Sequence, residues 1–255
     1  RILLRYPHTS MKALIFAAGL GTRLRPLTDH LPKALVEIEG RTLLDLTIER
    51  LIKAQATEIV VNVHHFAPLI KAHLPAHHYP IPVRISDESD GLLDTGGGLR
   101  RAAALFSPTP APILIHNVDI LHNADLAAFY AAACAHDITL MVSERQTTRY
   151  LLFDDAMRLS GWTRTDTGAL RPAALTPERA ATLQPFAFSG IHCVAPRVLP
   201  LMDSYPPKFP IMDFYLDHCH DLHIQGIAQP NLRLLDVGKT DTLAAAADFL
   251  SANPL

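Results

Sequence analysis

Residues 16–28 read Phe-Ala-Ala-Gly-Leu-Gly-Thr-Arg-Leu-Arg-Pro-Leu-Thr, and Leu-Pro-Lys follows at 31–33. The apolar run 13–16 precedes this stretch, so we expect a strand that leads directly into a loop of small residues. Glycine allows close approach of a ligand to the backbone because it has no Cβ. The loop amides can surround a polyphosphate, while Arg23 and Lys33 supply positive charge. The stretch therefore predicts a phosphate-binding site after the first strand.

Two common phosphate motifs do not fit these residues. Leu24 stands where a dinucleotide-binding fingerprint needs its third glycine, and the chain lacks the Gly-Lys-Ser/Thr of a Walker A loop. The run instead resembles the signature of the sugar-1-phosphate nucleotidyltransferases, Ala-Ala-Gly-x-Gly-Thr-Arg-Leu-x-Pro-Leu-Thr followed by Pro-Lys. It matches nearly every position of that signature, and the agreement continues through residues 38–44.

The resemblance implies an α/β fold with a doubly wound, mainly parallel, Rossmann-like sheet in a single catalytic domain. Apolar runs that alternate with amphipathic stretches are typical of this class. The sequence has no internal repeat, so we expect no β-helix extension. We interpret residues 1–10 as an N-terminal extension and 11–255 as the nucleotidyltransferase domain. By the resemblance, residues 11–145 form the nucleotide-binding half and 146–255 the sugar-binding half.

Hydrophobic periodicity predicts the individual elements. The expected strands cover 13–17, 58–63, 83–86, 113–116, 138–142, 187–194 and 232–237, and the expected helices cover 42–55, 67–74, 98–105, 125–135, 211–219 and 240–250. Residues 149–168 are expected to form short strands and turns. Thr42 and Thr240 are the expected helix caps.

The bulk composition limits the partners of the chain. Its 255 residues carry a net charge of −2, which gives no sign of a nucleic-acid surface. No apolar run reaches about eighteen residues, so we expect no membrane span. The three cysteines show no Cys-x-x-Cys spacing and the sequence shows no signal peptide, which favours a reducing, cytoplasmic location. The fourteen histidines are assigned to surface or capping roles rather than metal ligation. The oligomeric state stays open, including a homo-oligomer.

The family reaction joins a nucleoside triphosphate to a sugar 1-phosphate, whose oxygen attacks the α-phosphorus while pyrophosphate leaves. The resemblance implies two catalytic residues: Arg23, which braces the leaving phosphates, and Lys33, which contacts the α-phosphate. Two roles are possible for Arg25: a contact to a phosphate or a structural salt bridge. The residues implied to bind the nucleotide are Ala17, Ala18, Gly19, Gly21, Thr22, Arg23, Thr95, Gly96 and Gly97.

Two aspartates are candidate Mg²⁺ ligands. Asp119 ends an apolar run, and Asp236 directly follows the run 232–235. A carboxylate at the carboxyl end of a parallel strand points into the ligand crevice, and Mg²⁺ takes carboxylate and phosphate oxygens. Both positions match the metal aspartates of the family, so the resemblance implies that Mg²⁺ is the cofactor.

The sequence departs from the family at three places. Val118 replaces the glycine before the first aspartate, Asp94 replaces the first glycine of a Gly-Thr-Ala/Gly-Gly loop, and Lys239 stands where many members have threonine. Two roles are possible for Lys239: it contacts a phosphate, or it lies at the start of the following helix without contacting a ligand. The Asp-Thr-Gly-Gly-Gly variant at 94–98 is shared by members that act on N-acetylmuramate 1-phosphate; its alternative is a glycine-rich helix start.

The sugar phosphate has three candidate contacts, Asn117, Ser189 and Gly190. The last two belong to Phe-Ser-Gly-Ile at 188–191, which resembles a family segment near the sugar phosphate. The alternative for this segment is a strand with a bulge glycine.

The Asp-Thr-Gly-Gly-Gly variant and the short chain favour UTP and N-acetylmuramate 1-phosphate as the substrates. GTP with mannose or heptose 1-phosphate is the alternative, and a non-sugar acceptor such as phosphocholine also stays open. A non-catalytic homologue that binds nucleotide sugars should lack the lysine or an aspartate, yet Lys33, Asp119 and Asp236 are all present. A glycosyltransferase normally has Asp-x-Asp, whereas 117–119 supplies one carboxylate.

Overall fold

The apolar run before the glycine loop forms the central strand of the sheet. In the computed structural model, which describes residues 10–254, this strand is Met11–Phe16. Its alternate side chains belong to two separate hydrophobic cores, one on each face of the sheet. This is the expected pattern for a strand that is buried on both sides. The predicted extension at 1–10 lies outside the described residues, apart from Ser10.

The described strands and helices are numbered in chain order. The strands are β1 Met11–Phe16, β2 Glu37–Ile38, β3 Arg41–Thr42, β4 Ala56–Val63, β5 Val83–Asp87, β6 Ile113–Asn117, β7 Ile120–His122, β8 Ile138–Ser143, β9 Arg149–Phe153, β10 Leu159–Arg164, β11 Ala169–Arg171, β12 Gln184–Val194, β13 Ile224–Ala228 and β14 Leu234–Asp236. The α-helices are α1 Leu43–Lys53, α2 Ala67–Ala76, α3 Asp94–Ala103, α4 Leu126–Ala133, α5 Pro177–Ala180, α6 Ile211–Asp217 and α7 Thr240–Ala252. Short 3₁₀ helices cover Thr22–Leu24, Leu27–Asp29, Lys33–Leu35 and Pro196–Ser204. No helix within residues 10–254 combines the length and apolarity that a membrane crossing needs.

The central sheet has the strand order β11-β10-β9-β12-β6-β1-β4-β5, with β8 beside β12 and β13 beside β8. Strands β6, β1, β4 and β5 run parallel, whereas β12 is antiparallel to β6. Strand β12 therefore joins the two predicted halves in one sheet, and their boundary at 145/146 stays a prediction.

Helices cover both faces of this sheet. Helices α1, α2, α4 and α7 contribute buried side chains to one core, and α3 and α6 contribute to the other. The doubly wound, mainly parallel α/β fold is thereby confirmed. Since β1, β4 and β6 are parallel, their carboxyl ends meet at one edge, where such folds bind ligands.

Two predictions about helix ends were wrong and one was confirmed. The third helix begins at Asp94 rather than Gly98, because the Gly96 amide finds an acceptor in the Phe209 carbonyl 2.9 Å away. Helix α7 is capped by Lys239 rather than Thr240, since Thr242 bonds the Lys239 backbone. The cap at Thr42 is confirmed, because its hydroxyl accepts the amide of Asp45 at 3.0 Å.

The strand that carries Asp236 also differs from the prediction. Strand β14 pairs antiparallel with β7 in a separate two-stranded sheet, and is not one of the parallel strands. The amide of Val237 donates to the carbonyl of Asp119 at 2.8 Å. This pairing, rather than a shared parallel edge, brings Asp236 next to Asp119.

Candidate active site

A cavity of about 440 Å³ opens at the carboxyl ends of β1 and β6, and is called the glycine-loop cavity below. Most of the predicted nucleotide, catalytic and metal residues line it. These are Ala17, Ala18, Gly19, Gly21, Thr22, Arg23, Lys33, Thr95 and Asp119, and the predicted sugar-phosphate residue Asn117 lines the cavity as well. The fold therefore brings together residues that are about one hundred positions apart in the sequence.

The two glycines of the loop have different physical roles. Gly21 adopts a left-handed conformation with φ 64°, and a Cβ there would lie 3.0 Å from a methyl group of Thr28. The Thr28 hydroxyl donates to the Gly21 carbonyl at 2.7 Å, which fixes the loop. At Gly19, by contrast, a Cβ would meet nothing within 4 Å. Gly21 is thus required by the fold, whereas Gly19 leaves free space for a ligand at the cavity wall.

Lys33 and Asp119 line this cavity, and Asp236, just outside its lining, is close enough to interact electrostatically with both. The Lys33 ammonium forms an ion pair with Asp119, and both side chains are largely buried. Asp236 Oδ1 is buried without a hydrogen-bond partner among the described residues. Burial, and next the Asp119 carboxylate, raise the pKa of Asp236, while Lys33 and Arg23 oppose this rise. An unpartnered carboxylate oxygen beside a second carboxylate suits a hard cation such as Mg²⁺, because that ion takes oxygen ligands.

Gly238 allows Arg23 to reach this point. A Cβ at Gly238 would lie 2.6 Å from Asp236 Oδ1 and 2.8 Å from an Arg23 guanidinium nitrogen. The guanidinium and the carboxylate therefore pass over the bare glycine backbone. Gly238 is not among the predicted site residues, although its place directly after Asp236-Val237 was a usable signal.

Two buried histidines fix the turn that carries Asp119. The Ala124 amide donates to His122 Nδ1 at 3.0 Å, so the neutral His122 ring carries its proton on Nε2. That Nε2–H donates to His116 Nε2 at 2.8 Å, and His116 Nδ1–H donates to the Asn117 carbonyl at 2.7 Å. Burial lowers the pKa of His116 to about 4 and that of His122 well below its usual range. The neutral pair ties β6 to β7 on either side of Asp119.

A buried polar chain missed by the sequence analysis supports the loop from behind. The Ala17 amide donates to Asn62 Oδ1 at 2.7 Å, and Asn62 Nδ2 donates to Glu88 Oε1 at 2.9 Å. Glu88 Oε2 accepts the Leu93 amide at 3.2 Å. Burial raises the pKa of Glu88, although these hydrogen bonds oppose the rise. This chain of hydrogen bonds couples the glycine loop to the start of α3. In the sequence, its one usable signal was Asn62, a lone polar residue in the apolar strand β4.

The glycine run of α3 packs against other elements. A Cβ at Gly96 would collide with the Phe209 ring, one at Gly97 with the Pro207 carbonyl, and one at Gly98 would lie 2.9 Å from Asn62 Nδ2. Gly96 and Gly97 do not line the glycine-loop cavity. These glycines instead allow α3 to lie close to the second half of the chain and to the polar chain behind the loop.

Of the three predicted sugar-phosphate residues, Asn117 and Gly190 are adjacent, whereas the Ser189 side chain is buried. A Cβ at Gly190 would lie 2.7 Å from Asn117 Nδ2, so the Gly190 backbone is close to that amide. The Ser189 side chain is buried, and its hydroxyl accepts the Ile191 amide at 3.2 Å. Gly190 has φ 80° at a register shift between β12 and β8, which agrees with the alternative of a bulge glycine.

The structure also gives the surroundings of Val118, Arg25 and Lys239, whose roles the sequence left open. Val118 is 5 % exposed, and its side chain packs into the core. Arg25 pairs with Asp29 at 3.4 Å and does not line the cavity, in agreement with a structural salt bridge. Lys239 caps α7 and also lines a second cavity.

This second cavity, of about 1100 Å³, is called the arginine cavity. It adjoins the first, because Arg23 and Gly238 line both, and Asp236 lies in its wall. Its other basic side chains are Arg145, Arg149, Arg164, Arg171 and Lys239. The arrangement can hold a second anion beside a polyphosphate.

Only some of these arginines have acidic partners. Arg164 makes two hydrogen bonds to Asp166, at 2.7 and 3.0 Å, and Arg171 pairs with Asp213 at 2.7 Å. Within residues 10–254, neither Arg145 nor Arg149 has a carboxylate within 4.0 Å. Arg145 donates to the Phe188 carbonyl at 3.2 Å, but neither guanidinium is held by an ion pair, so both can contact an anionic ligand.

Known proteins resemble this chain along most of its length. Residues 12–150 match the nucleotidyl transferase family. The chain is 32 % identical over 249 residues to the N-acetylmuramate alpha-1-phosphate uridylyltransferase of Caulobacter vibrioides, covering 94 % of this chain and 97 % of that protein. It is 33 % identical over 145 residues to the mannose-1-phosphate guanyltransferase of Schizosaccharomyces pombe, covering 55 % of this chain and 40 % of that protein.

A solved structure supports the fold. The crystal structure of HddC from Yersinia pseudotuberculosis superposes with a TM-score of 0.75 at 18 % identity, covering 93 % of this chain and 98 % of that one. At this identity the likeness concerns the fold, whereas the family match and the Caulobacter relative concern the chemistry. They confirm the resemblance carried by the glycine loop: the chain belongs to the nucleotidyl transferase family and is a sugar-1-phosphate nucleotidyltransferase.

Proposed function

We propose that the chain transfers the uridylyl group of UTP to N-acetylmuramate 1-phosphate. The observation that carries this choice is a pair of arginines in the arginine cavity, Arg145 and Arg149, that form no ion pair within residues 10–254. N-acetylmuramate 1-phosphate brings a lactyl carboxylate in addition to its phosphate, whereas mannose 1-phosphate is neutral apart from its phosphate. Guanidinium groups bind carboxylates through paired, charge-assisted hydrogen bonds. The name of the Caulobacter relative, which aligns with nearly the whole chain, supports the same acceptor.

The reaction would take place where the two cavities meet. An oxygen of the acceptor phosphate forms a bond to the α-phosphorus of UTP, the bond from that phosphorus to the bridging oxygen breaks, and pyrophosphate leaves. The glycine-loop amides and Arg23 would hold the leaving phosphates. Lys33 would reduce the repulsion between the two approaching anions.

Mg²⁺ would be held by Asp119 and Asp236, the proposed metal ligands. When bound, this ion neutralises phosphate charge and orients the phosphates for displacement. Asn117 and the backbone of Gly190 lie beside this point and would contact the acceptor phosphate. Thr95 at the start of α3 would contact the nucleotide.

The alternative is transfer of a guanylyl group to mannose 1-phosphate, supported by relatives that align with about half of the chain. The two proposals differ in the acceptor charge, so a matched pair of acceptors separates them. N-acetylmuramate 1-phosphate differs from N-acetylglucosamine 1-phosphate by the lactyl ether alone.

The test is the rate of pyrophosphate release with Mg²⁺, with UTP or GTP and each of these acceptors. We expect kcat/KM with UTP to be at least about 10-fold higher for the lactyl-bearing acceptor, because a charged hydrogen bond contributes about 1.5–3 kcal/mol. Equal values for the matched pair would remove the carboxylate argument. A preference for GTP with mannose 1-phosphate would establish the alternative.

A further inference from the structure

Three potential metal ligands lie together at the junction of α1 and α2, away from both cavities. Asp45 is in the first turn of α1, His73 is in the last turn of α2, and His77 follows that helix directly. One ligand atom from each residue lies within 4.8 Å of the other two. None of the three lines the glycine-loop or arginine cavity. We call this group the histidine–aspartate cluster.

The spacing of the ligand atoms is close to that around a tetrahedral metal ion. His73 Nε2 is 3.0 Å from both carboxylate oxygens of Asp45, and His77 Nε2 is 4.0 Å from Oδ2. Tetrahedral Zn²⁺ with bonds of about 2.0–2.1 Å separates its ligands by about 3.3 Å. The two histidine–aspartate separations lie on either side of this value, and the ligand atoms of the two histidines lie within 4.8 Å of each other. To enclose an ion the side chains would rotate, and His73 would carry its proton on Nδ1 so that Nε2 can coordinate.

Hydrogen bonds around the cluster orient the ligand atoms. His77 Nδ1 is 2.9 Å from the His73 carbonyl, so Nδ1 carries a proton, and Nε2 is the ring nitrogen that faces Asp45 and can coordinate an ion. Tyr79 donates to Asp45 Oδ1 and Thr42 to Oδ2, each at 2.7 Å. Outer hydrogen bonds of these kinds typically hold metal-binding histidines and carboxylates in place.

An ion can reach the cluster from solvent. The Asp45 and His73 side chains are 13 % and 14 % exposed, whereas His77 is 45 % exposed. An ion that entered past His77 would have three protein ligands and one position open to water. Two imidazoles and one carboxylate suit Zn²⁺, Co²⁺ or Ni²⁺ rather than Mg²⁺. We propose that Asp45, His73 and His77 bind a divalent transition-metal ion, chiefly Zn²⁺, which ties α1 to α2.

The test uses the full chain, stripped of metal by a chelator and free of any polyhistidine tag. We expect Co²⁺ titration to give a saturable visible absorption band with one ion per chain, typical of tetrahedral coordination. Zn²⁺ should displace this band and raise the unfolding temperature, while Mg²⁺ should do neither. The readout does not depend on nucleotidyl transfer, so its failure is distinct from failure of the proposed function.

Two neighbouring histidines give matched variants. His77→Ala should weaken Co²⁺ binding by at least about 100-fold, since one of three protein ligands is lost. His78→Ala removes an exposed histidine outside the cluster and should bind Co²⁺ as the wild type does. Circular dichroism without metal would show that both variants fold. A missing Co²⁺ band in the wild type, or equal binding by the two variants, would show that the cluster is held by hydrogen bonds alone.

Discussion

The two adjoining cavities are built in different ways. The glycine-loop cavity is formed largely by one contiguous segment, 17–23, and by residues just past the ends of parallel strands. The arginine cavity takes its side chains from Arg23, the loop between β8 and β9, the strands β9, β10, β11, β12 and β14, helix α6 and the start of α7. Local sequence thus encodes the site proposed for the nucleotide, whereas the site proposed for the acceptor exists only once distant elements have packed. Changes in the two cavities should therefore affect different kinetic constants.

Loss of Lys33 tests the point where the two cavities meet, and should have the largest effect. Lys33→Ala removes a cation from the place where two anions would approach each other. We expect kcat to fall by about 100- to 1000-fold, as for loss of one transition-state contact. The measurement is steady-state pyrophosphate release at saturating concentrations of both substrates.

Lys53→Ala is the matched control, because Lys53 is exposed on α1 and should retain wild-type turnover. A Lys33→Ala enzyme within about threefold of the wild-type rate would contradict a role for this ammonium in the chemical step.

Loss of Asn62 should weaken the nucleotide side selectively. Asn62→Ala leaves the Ala17 amide and the buried Glu88 carboxylate each without one hydrogen-bond partner. An unsatisfied buried group costs about 1–3 kcal/mol of folding free energy. The loosened loop should also position the phosphates less well, so we expect kcat/KM for the nucleotide to fall by roughly 10- to 100-fold. The KM of the acceptor, measured at saturating nucleotide, should stay within about twofold. Equal increases in both KM values would mean that Asn62 only supports the fold as a whole.

Removal of Arg149 should affect the acceptor side instead. Arg149→Gln deletes a guanidinium that has no acidic partner among residues 10–254, and should lower kcat/KM for N-acetylmuramate 1-phosphate about 10-fold. The value for N-acetylglucosamine 1-phosphate should change much less, because that acceptor lacks the lactyl carboxylate. The nucleotide KM should not change.

Arg164→Gln is the natural comparison, since Arg164 lines the same cavity but is already paired with Asp166. We expect this variant to lose less activity toward the lactyl-bearing acceptor. Equal losses for Arg149→Gln and Arg164→Gln would indicate a general field of positive charge rather than a specific carboxylate contact.

The difference between the cavities also explains what could be predicted from the sequence. The glycine loop and the parallel strands follow from local composition and periodicity, Lys33 is implied by the family resemblance, and the fold class was confirmed. The pairing of β14 with β7 was not predictable, because it depends on contacts between segments more than one hundred residues apart. Asn62 and Glu88 were missed for a different reason: a single polar residue in an apolar strand is a signal, but its partners are defined only by packing.

Acid unfolding tests whether the two cavities depend on one cooperative core. Burial lowers the pKa of His116 to about 4; burial, and next the charge of His116, lower that of His192 to about 3. Unfolded histidines take up protons below about pH 6.5, whereas these two stay neutral in the fold. Stability should therefore fall as pH decreases from about 6.5, by about 1.4 kcal/mol per pH unit for each histidine. Carboxylates whose pKa is lowered in the fold, such as Asp87, reduce the free energy of unfolding only near pH 4 and below, where they become protonated in the unfolded chain.

Urea unfolding between about pH 7 and pH 5 measures this slope. His192→Gln should reduce the slope by about 1.4 kcal/mol per pH unit, the contribution of one histidine, whereas replacement of the exposed His220 by Gln should leave the slope unchanged.

The single tryptophan, Trp162, lines the arginine cavity, so its fluorescence reports on that cavity, and a fluorescent nucleotide reports on the other. Since His116 lies beneath the glycine-loop cavity and His192 lies in β12, both signals should be lost in one transition. If the Trp162 signal disappears at a higher pH than nucleotide binding, the two cavities stand on separately stable parts of the fold, despite the shared sheet.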